Sequence, residues 1–198
     1  MSTSSIDVAR YFISRAYRDH TEVEITNMKI QKLLYYSQSI HLVLHGNPLF
    51  EDEIQAWRYG PVCPPAYYFY SEFEAKQLPV PSSNDLINIS EEVIEILEEV
   101  WQHFGHYHTY ELSKKIHQEF PWLKARKGLP PEAASTNPIL LDDLKFLGQE
   151  KLDEIERSHP CYEPLMAKLI QDALSSDPES QTTLNKGEVR GWLESVLN

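Results

Sequence analysis

Cysteine and glycine are scarce in this chain, basic residues are outnumbered, and no apolar run is long enough to cross a bilayer; each shortage removes a class of function. The 198 residues include two cysteines, Cys63 and Cys161, almost a hundred positions apart. No basic-plus-apolar leader is visible at the start, so the cysteine usage predicts two reduced thiols in a cytoplasmic protein rather than a disulfide. Seven glycines leave little material for a phosphate cradle. No P-loop, dinucleotide-binding glycine pattern or G-x-S-x-G nucleophile elbow occurs. Thirty acidic residues against eighteen basic give a formal charge of −12, which disfavours nucleic acid as a partner, because affinity for phosphate backbones comes from clustered Lys and Arg that release counterions. No stretch approaches the roughly 18 apolar residues of a membrane span.

What the chain does have is concentrated between Thr26 and Val62. At 100° per residue, Ile30, Leu33, Leu34, Ser37, Ile40, His41 and Leu44 fall on one stripe, and the opposite side carries Met28, Tyr35, Leu42 and Val43. A helix that is apolar on most of its circumference has to be surrounded, which places it at the centre of a helical domain. Thr26 suits its N-cap and Gly46 its C′ position.

Around this element the pattern is mainly α, with one or two short strands. A first helix is expected from Ile6 to Tyr17, capped by Ser4 or Ser5, with Ile6, Ala9, Phe12, Ile13 and Ala16 inward. Glu53 to Tyr59 alternates like a strand ended by Gly60-Pro61, and Pro64-Pro65 opens a helix through Tyr67, Tyr68 and Phe73. Ser90 caps a helix that buries Val93, Ile96, Leu97, Val100, Trp101 and Phe104 and stops at Gly105. Thr109 starts another, interrupted by Pro121. A proline-rich loop from Gly128 to Pro138 leads to a helix near Asp142 to Leu147. Residues 1–148 form the expected main domain. Residues 149–198 form a helical extension: one helix around Lys151 to Arg157, one bearing Leu165, Met166, Leu169, Ile170 and Ala173, a linker near 175–181, and a last helix with Asn185 and Glu188 in a capping box. Val189, Trp192, Leu193, Val196 and Leu197 share one face of that last helix, which needs cover from the chain's own domain, a second copy in a homo-oligomer, or a partner protein.

Two constellations invite a functional reading. His103, His106, His108 and His117 are imidazoles at close spacing, the ligand type of zinc, nickel or copper, and a histidine-dependent metal hydrolase would be built there. Gly105 breaks the helix between them, no carboxylate stands at ligand spacing and HExxH is missing, so the preferred reading is surface histidines with no metal and no cofactor. His41 reads as a buried, hydrogen-bonded core histidine. The second constellation is aromatic: Trp57, Arg58 and Tyr59, then Tyr67, Tyr68, Phe69 and Tyr70. These are the residue types of binding hot spots, and Trp57, Arg58, Tyr59, Tyr67, Tyr70 and, in the tail, Trp192 are the partner-binding candidates. Eleven Asp or Glu against Arg58 and Lys76 between Glu51 and Val100 add either a solvated face or a docking field for a basic partner.

The ordered segments Thr26-Asn27-Met28-Lys29-Ile30-Gln31-Lys32-Leu33-Leu34-Tyr35-Tyr36, Gly46-Asn47-Pro48-Leu49-Phe50 and Ala56-Trp57-Arg58-Tyr59-Gly60-Pro61-Val62, with His117 and Pro121-Trp122-Leu123-Lys124-Ala125-Arg126 behind them, resemble the Panacea domain family, also called SocA-like or GepA-like. The likeness runs from about Ile6 to Phe146. Cys63-Pro64-Pro65 departs from it where the family has a single proline, and the last fifty residues match nothing in it. The resemblance implies a non-enzymatic antitoxin that binds a cognate toxin protein and silences it, by masking it or by presenting it to a ClpXP-type protease. A phage-associated regulator of DNA or a host factor is the remaining alternative.

Overall fold

The computed structural model describes residues 3–19, 24–82, 89–158 and 162–175. The expected last helix with its Asn185 cap, Trp192, the linker near 175–181 beyond Ser175, and Cys161 lie outside the described residues. Contacts divide the chain into two units, Met1–Gln149 and Glu150–Asn198.

In the first unit the element order is α1 (Ser5–Arg18), α2 (Asn27–His45), β1 (Gln55–Trp57), β2 (Gly60–Val62), α3 (Pro64–Phe69), a 3₁₀ turn (Ser71–Phe73), α4 (Glu91–Phe104), α5 (Thr109–Ile116) and α6 (Phe120–Arg126), followed by α7 (Leu141–Ser158), which runs on into the second unit. There α8 spans Tyr162–Ser175. The protein is mainly α-helical. No helix among the described residues is long and apolar enough to cross a membrane.

Helix α2 is the centre of the first unit: α1, α3, α4, α5 and β2 all pack on it. Ile30, Leu33, Leu34, Tyr35, Tyr36, Ile40 and Leu42 are buried as the apolar pattern requires, whereas Leu44, expected on the inward stripe, is exposed in the last turn. The correction has a simple cause. Leu44 stands in the last turn of α2, two residues before Gly46, whose left-handed conformation turns the chain back. Thr26 accepts a hydrogen bond from the Lys29 amide as N-cap. Ser4 caps α1 in a reciprocal pair with Asp7. Val8 and Tyr11 join the buried face of α1, while Ile6 is half-exposed. All six residues expected inside α4 are buried beneath the Ser90 cap.

Three segments depart from the sequence reading. Gly60-Pro61 does not end the strand; it begins the second arm of an antiparallel hairpin with Gln55 opposite Val62 and Trp57 opposite Gly60. Residues 137–139 lie alongside, with the Ala56 amide donating to the Asn137 carbonyl and the Ile139 amide to the Ile54 carbonyl, each at 2.8 Å. Pro121 does not interrupt a helix but sits in the first turn of α6, where a missing amide hydrogen costs nothing. Helix α7 passes through Gly148 without a break, replacing the two expected helices by one. Ile170 of α8 is exposed.

Candidate partner-binding surface

The polar residues of α2 are as buried as its apolar ones. Asn27, Lys29, Gln31, Lys32, Ser37, Gln38 and Ser39 are all nearly inaccessible. A buried polar group is costly unless bonded, and here most of the bonds run to the backbone of neighbouring loops. Gln38 accepts from the amides of Leu49 (2.9 Å) and Phe50 (3.3 Å) and donates to the Phe50 carbonyl at 2.9 Å. Lys29 donates to the Gly105 carbonyl at the end of α4, with its ammonium over the Trp101 ring. His41, the expected core histidine, contacts the Asn47 carbonyl at 3.0 Å.

Three grips converge on the hairpin and α3. Lys32 Nζ donates to the Pro61 carbonyl at 3.3 Å. Gln31 Oε1 accepts from the Cys63 amide at 2.9 Å. Asn27 Nδ2 donates to the Tyr67 carbonyl at 2.9 Å, and its own carbonyl accepts from Gln31. Gly60 allows the first of these, because a Cβ there would lie 2.5 Å from Lys32 Nζ and the backbone stands at φ +110°. From the other side Trp122 Nε1 donates to the Trp57 carbonyl at 3.0 Å. The hairpin and α3 are therefore held by bonds to their backbone, which leaves their side chains free to face outward.

Those side chains make an aromatic edge. Tyr59 is 58% exposed, Tyr68 64% and Phe69 48%. Arg58, exposed, lies over the Tyr59 ring, and Trp57 and Tyr67, both half-buried, have ring centroids 5.0 Å apart. Tyr70 departs from the candidate set: at 5% exposure it packs inward, because α3 ends at Phe69 and the following turn rotates it under the helix. Tyr68 and Phe69 take its place at the surface. Beside Phe69 a cavity of about 340 Å³ is lined by Arg10, Tyr70, Phe73, Pro79 and Val80.

The histidines are dispersed in their roles. His103 packs edge-on to Phe104. His106 stacks on Tyr107, and His108 caps α5 by accepting from the Tyr110 amide. His117 stacks on Trp122 with centroids 4.3 Å apart. Among the described residues no group of three or more His, Cys, Asp or Glu is placed to hold a metal ion, so the geometry gives no support to a metal hydrolase. Cys63 is free and buried, and burial pushes its thiol up to about 11, away from nucleophilic thiolate chemistry.

Burial also sets a pH dependence. It pushes Lys32 down to about 7 and Lys29 down to about 8, while an unfolded lysine holds its proton to about 10.4. Across that window the unfolded chain carries protons that the folded chain has released, so stability rises with pH from about 7 upward. The Cys63 thiol opposes this above about pH 8.5, where only the unfolded chain has lost its proton. Two lysines outweigh the one thiol, so the net rise is expected from about pH 7 to about pH 10, with a slope approaching about 1.4 kcal/mol per pH unit for each net proton. Urea melts at half-unit intervals should show it in the natural chain and show it flattened in Lys32→Met. An unchanged slope in the variant would mean that Lys32 is not the group responsible. On the acid side burial holds His41 and His117 low, with Lys32 and Arg126 adding repulsion at His117. Stability is accordingly lost as pH falls below about 6.5, where the unfolded imidazoles take up protons first.

Sequence reasoning named Trp57, Arg58, Tyr59 and Tyr67 but missed the residues that hold them. Asn27, Gln31 and Lys32 read as incidental polar positions on an apolar helix. The available signal was their run at i, i+4 and i+5 on a helix with no exposed side to place them.

Comparison with known proteins bears on this same region. A family model described as antitoxin SocA-like, Panacea domain matches residues 30–123. Antitoxin SocA of Caulobacter vibrioides (strain NA1000 / CB15N) is 40% identical over 50 residues, a stretch covering 25% of this chain and 27% of that protein. The chain thus matches about a quarter of that relative's length. No solved structure is a significant match. The matched residues 30–123 take in most of the α2 hub, the hairpin it grips, α3, α4, α5 and Trp122, and over that stretch the chain is similar to the SocA-like Panacea domain.

Proposed function

We propose that this protein is an antitoxin: it binds a toxin protein through the aromatic edge of the hairpin and α3 and silences it without turning over a substrate. The observation that carries this reading is the coincidence of the family match with that edge, since residues 30–123 contain both the outward-facing Tyr59, Tyr68 and Phe69 and the buried Gln31 and Lys32 grips on the hairpin and α3. Tyrosine and an arginine on a backbone held rigid by its own fold offer large contact area at small entropic cost. The cavity beside Phe69 gives a partner side chain somewhere to insert.

The test is co-expression with the product of the adjacent open reading frame. Growth arrest by that product alone, relieved by the natural chain, is the expected result. Tyr59→Ser with Tyr68→Ser should abolish the relief, while the unfolding free energy stays within about 0.5 kcal/mol of the natural chain, as for other exposed substitutions. A harmless neighbour, or full relief by the double variant, would overturn the reading. Masking and delivery to a ClpXP-type protease separate in cells lacking that protease. A masked toxin stays silent there, and a delivered one regains its effect.

A further inference from the structure

The Trp122 indole ties the hairpin to α6, with its Nε1 donating to the Trp57 carbonyl at 3.0 Å. His117, at the C-terminal end of α5, stacks on that indole with centroids 4.3 Å apart and planes inclined by 25°. The imidazole is half-buried, so it has a path to water, yet its Nε2 is buried and meets no hydrogen-bond partner. A neutral ring can leave that nitrogen as a bare acceptor. A protonated ring carries N–H on both nitrogens, and a buried, charged donor without an acceptor is costly.

The charges facing His117 add to that cost. Lys32 of α2 and Arg126 of α6 both repel a proton there, after burial, which is the largest influence. Neither cation is neutralised by its hydrogen bonds, since Lys32 donates to the Pro61 carbonyl and Arg126 to those of Pro130, Pro131 and Ala133. The Arg126 guanidinium also lies 4.8 Å from the centre of the Trp122 ring. Glu119, between α5 and α6, accepts from the Tyr36 hydroxyl of α2 at 3.1 Å. Strand β2, which packs on α5, brings Gly60, Pro61 and Val62 and no titratable side chain. On α5 itself Lys114 is exposed and Lys115 lies over the Tyr107 ring, while Lys124 of α6 is paired with Asp143.

We propose that His117 is a pH-sensitive latch of the hairpin: neutral, it clamps Trp122 against the Trp57 carbonyl, and protonated, it leaves the stack for water and lets the hairpin open. Its place at the helix end allows the ring to swing out without unwinding α5. Weaker partner binding at the aromatic edge in acid would follow, a consequence that rests on the proposed function. The latch itself is tested without a partner, so its failure and that of the antitoxin reading are distinguishable.

The measurement is hydrogen exchange of the Trp122 indole N–H in the full chain by nitrogen-15 NMR, normalised to free indole at each pH. Trp122→Phe assigns this signal among the four tryptophans, and His117→Gln assigns the His117 ring. In the natural chain, exchange at Trp122 is expected to rise as pH falls below about 6.5, by up to about tenfold at pH 5.5, the limit for one proton taken up one unit below the ordinary imidazole value. The Leu49 and Phe50 amides, held by Gln38, should keep their protection over the same range. In His117→Gln the Trp122 signal should lose this pH dependence, whatever its absolute rate. Lys32→Met removes one repelling cation and should raise the pH at which the His117 ring titrates. Exchange at Trp122 that ignores pH, an equal rise in His117→Gln, or an unmoved His117 titration in Lys32→Met would overturn the proposal. Loss of Leu49 and Phe50 protection together with that of Trp122 would mean acid unfolding of the whole unit, and would also overturn it.

Discussion

Gln38→Leu is expected to lower the unfolding free energy by about 1.5–6 kcal/mol, although it places a more hydrophobic residue in a nearly inaccessible position of an apolar helix. The side chain satisfies three buried backbone groups: the Leu49 and Phe50 amides and the Phe50 carbonyl. Leucine leaves all three without a partner at about 1–3 kcal/mol each. The gain from replacing an amide by a branched alkyl group in the core is about 1.5–3 kcal/mol at most, and leucine's shape does not match the space glutamine fills. The loss therefore wins. Urea denaturation measures it, and hydrogen exchange locates it, with the Leu49 and Phe50 amides losing protection before the rest of the core. Gln102→Leu on the exposed side of α4 is the control and should stay within about 0.5 kcal/mol. A cost below about 1 kcal/mol for Gln38→Leu would show that water takes over those three bonds.

The periodic part of this fold was legible because periodicity is local. The apolar stripe of α4, the Ser90, Thr26 and Gly46 caps and the enclosure of α2 follow from residues within a turn or two of one another. The grips of α2 were not legible, because what Gln31 or Gln38 bonds is decided by where residues 49, 50 and 63 arrive, and that depends on the whole unit. Read in isolation, Lys29 and Lys32 belong to a solvated side that this helix does not have. The hairpin was half visible for a related reason. Pro61 looked like a stop, yet in a two-stranded ribbon it sits opposite Ala56, beside a strand whose other edge is taken by residues 137–139.

The aromatic edge shows the same division. That a surface of tyrosine, tryptophan and arginine exists was readable from composition between Trp57 and Tyr70. Which members face outward was not, because α3 ends one residue earlier than its aromatic run, and that single residue moves Tyr70 inside. Function in this molecule is consequently read at two depths. On the proposed function the outward tyrosines offer contact, and Asn27, Gln31, Lys32 and Trp122 decide whether they stay in place. Substitution of the second group should weaken partner binding through loosened geometry, with an accompanying loss of stability that Tyr59→Ser and Tyr68→Ser lack.

Gly148→Ala carries a prediction whose sign differs between the isolated helix and the folded protein. In a helix interior alanine is favoured over glycine by about 1 kcal/mol, so a peptide of residues 141–158 should gain helicity by circular dichroism. In the folded chain a Cβ at this position would overlap the Ser39 carbonyl oxygen, lie 2.5 Å from its carbonyl carbon and press on the Val43 side chain at 2.8 Å. Two of those three neighbours are backbone of the central helix, which cannot rotate away as a side chain can. Relief requires α7 to lift from α2, and overpacking of this kind costs about 1–3 kcal/mol or more. Because the obstacle is main chain, the upper end applies, and after the helix-propensity gain the net loss is about 2–3 kcal/mol. For a protein of this size that corresponds to a melting temperature lower by about 5–10 °C. Lys145→Ala, on the exposed side of the same helix, should change the melting temperature little. A Gly148→Ala protein as stable as the natural chain would mean that α7 does not press against Ser39, and that the continuous helix owes its position to contacts other than this crossing.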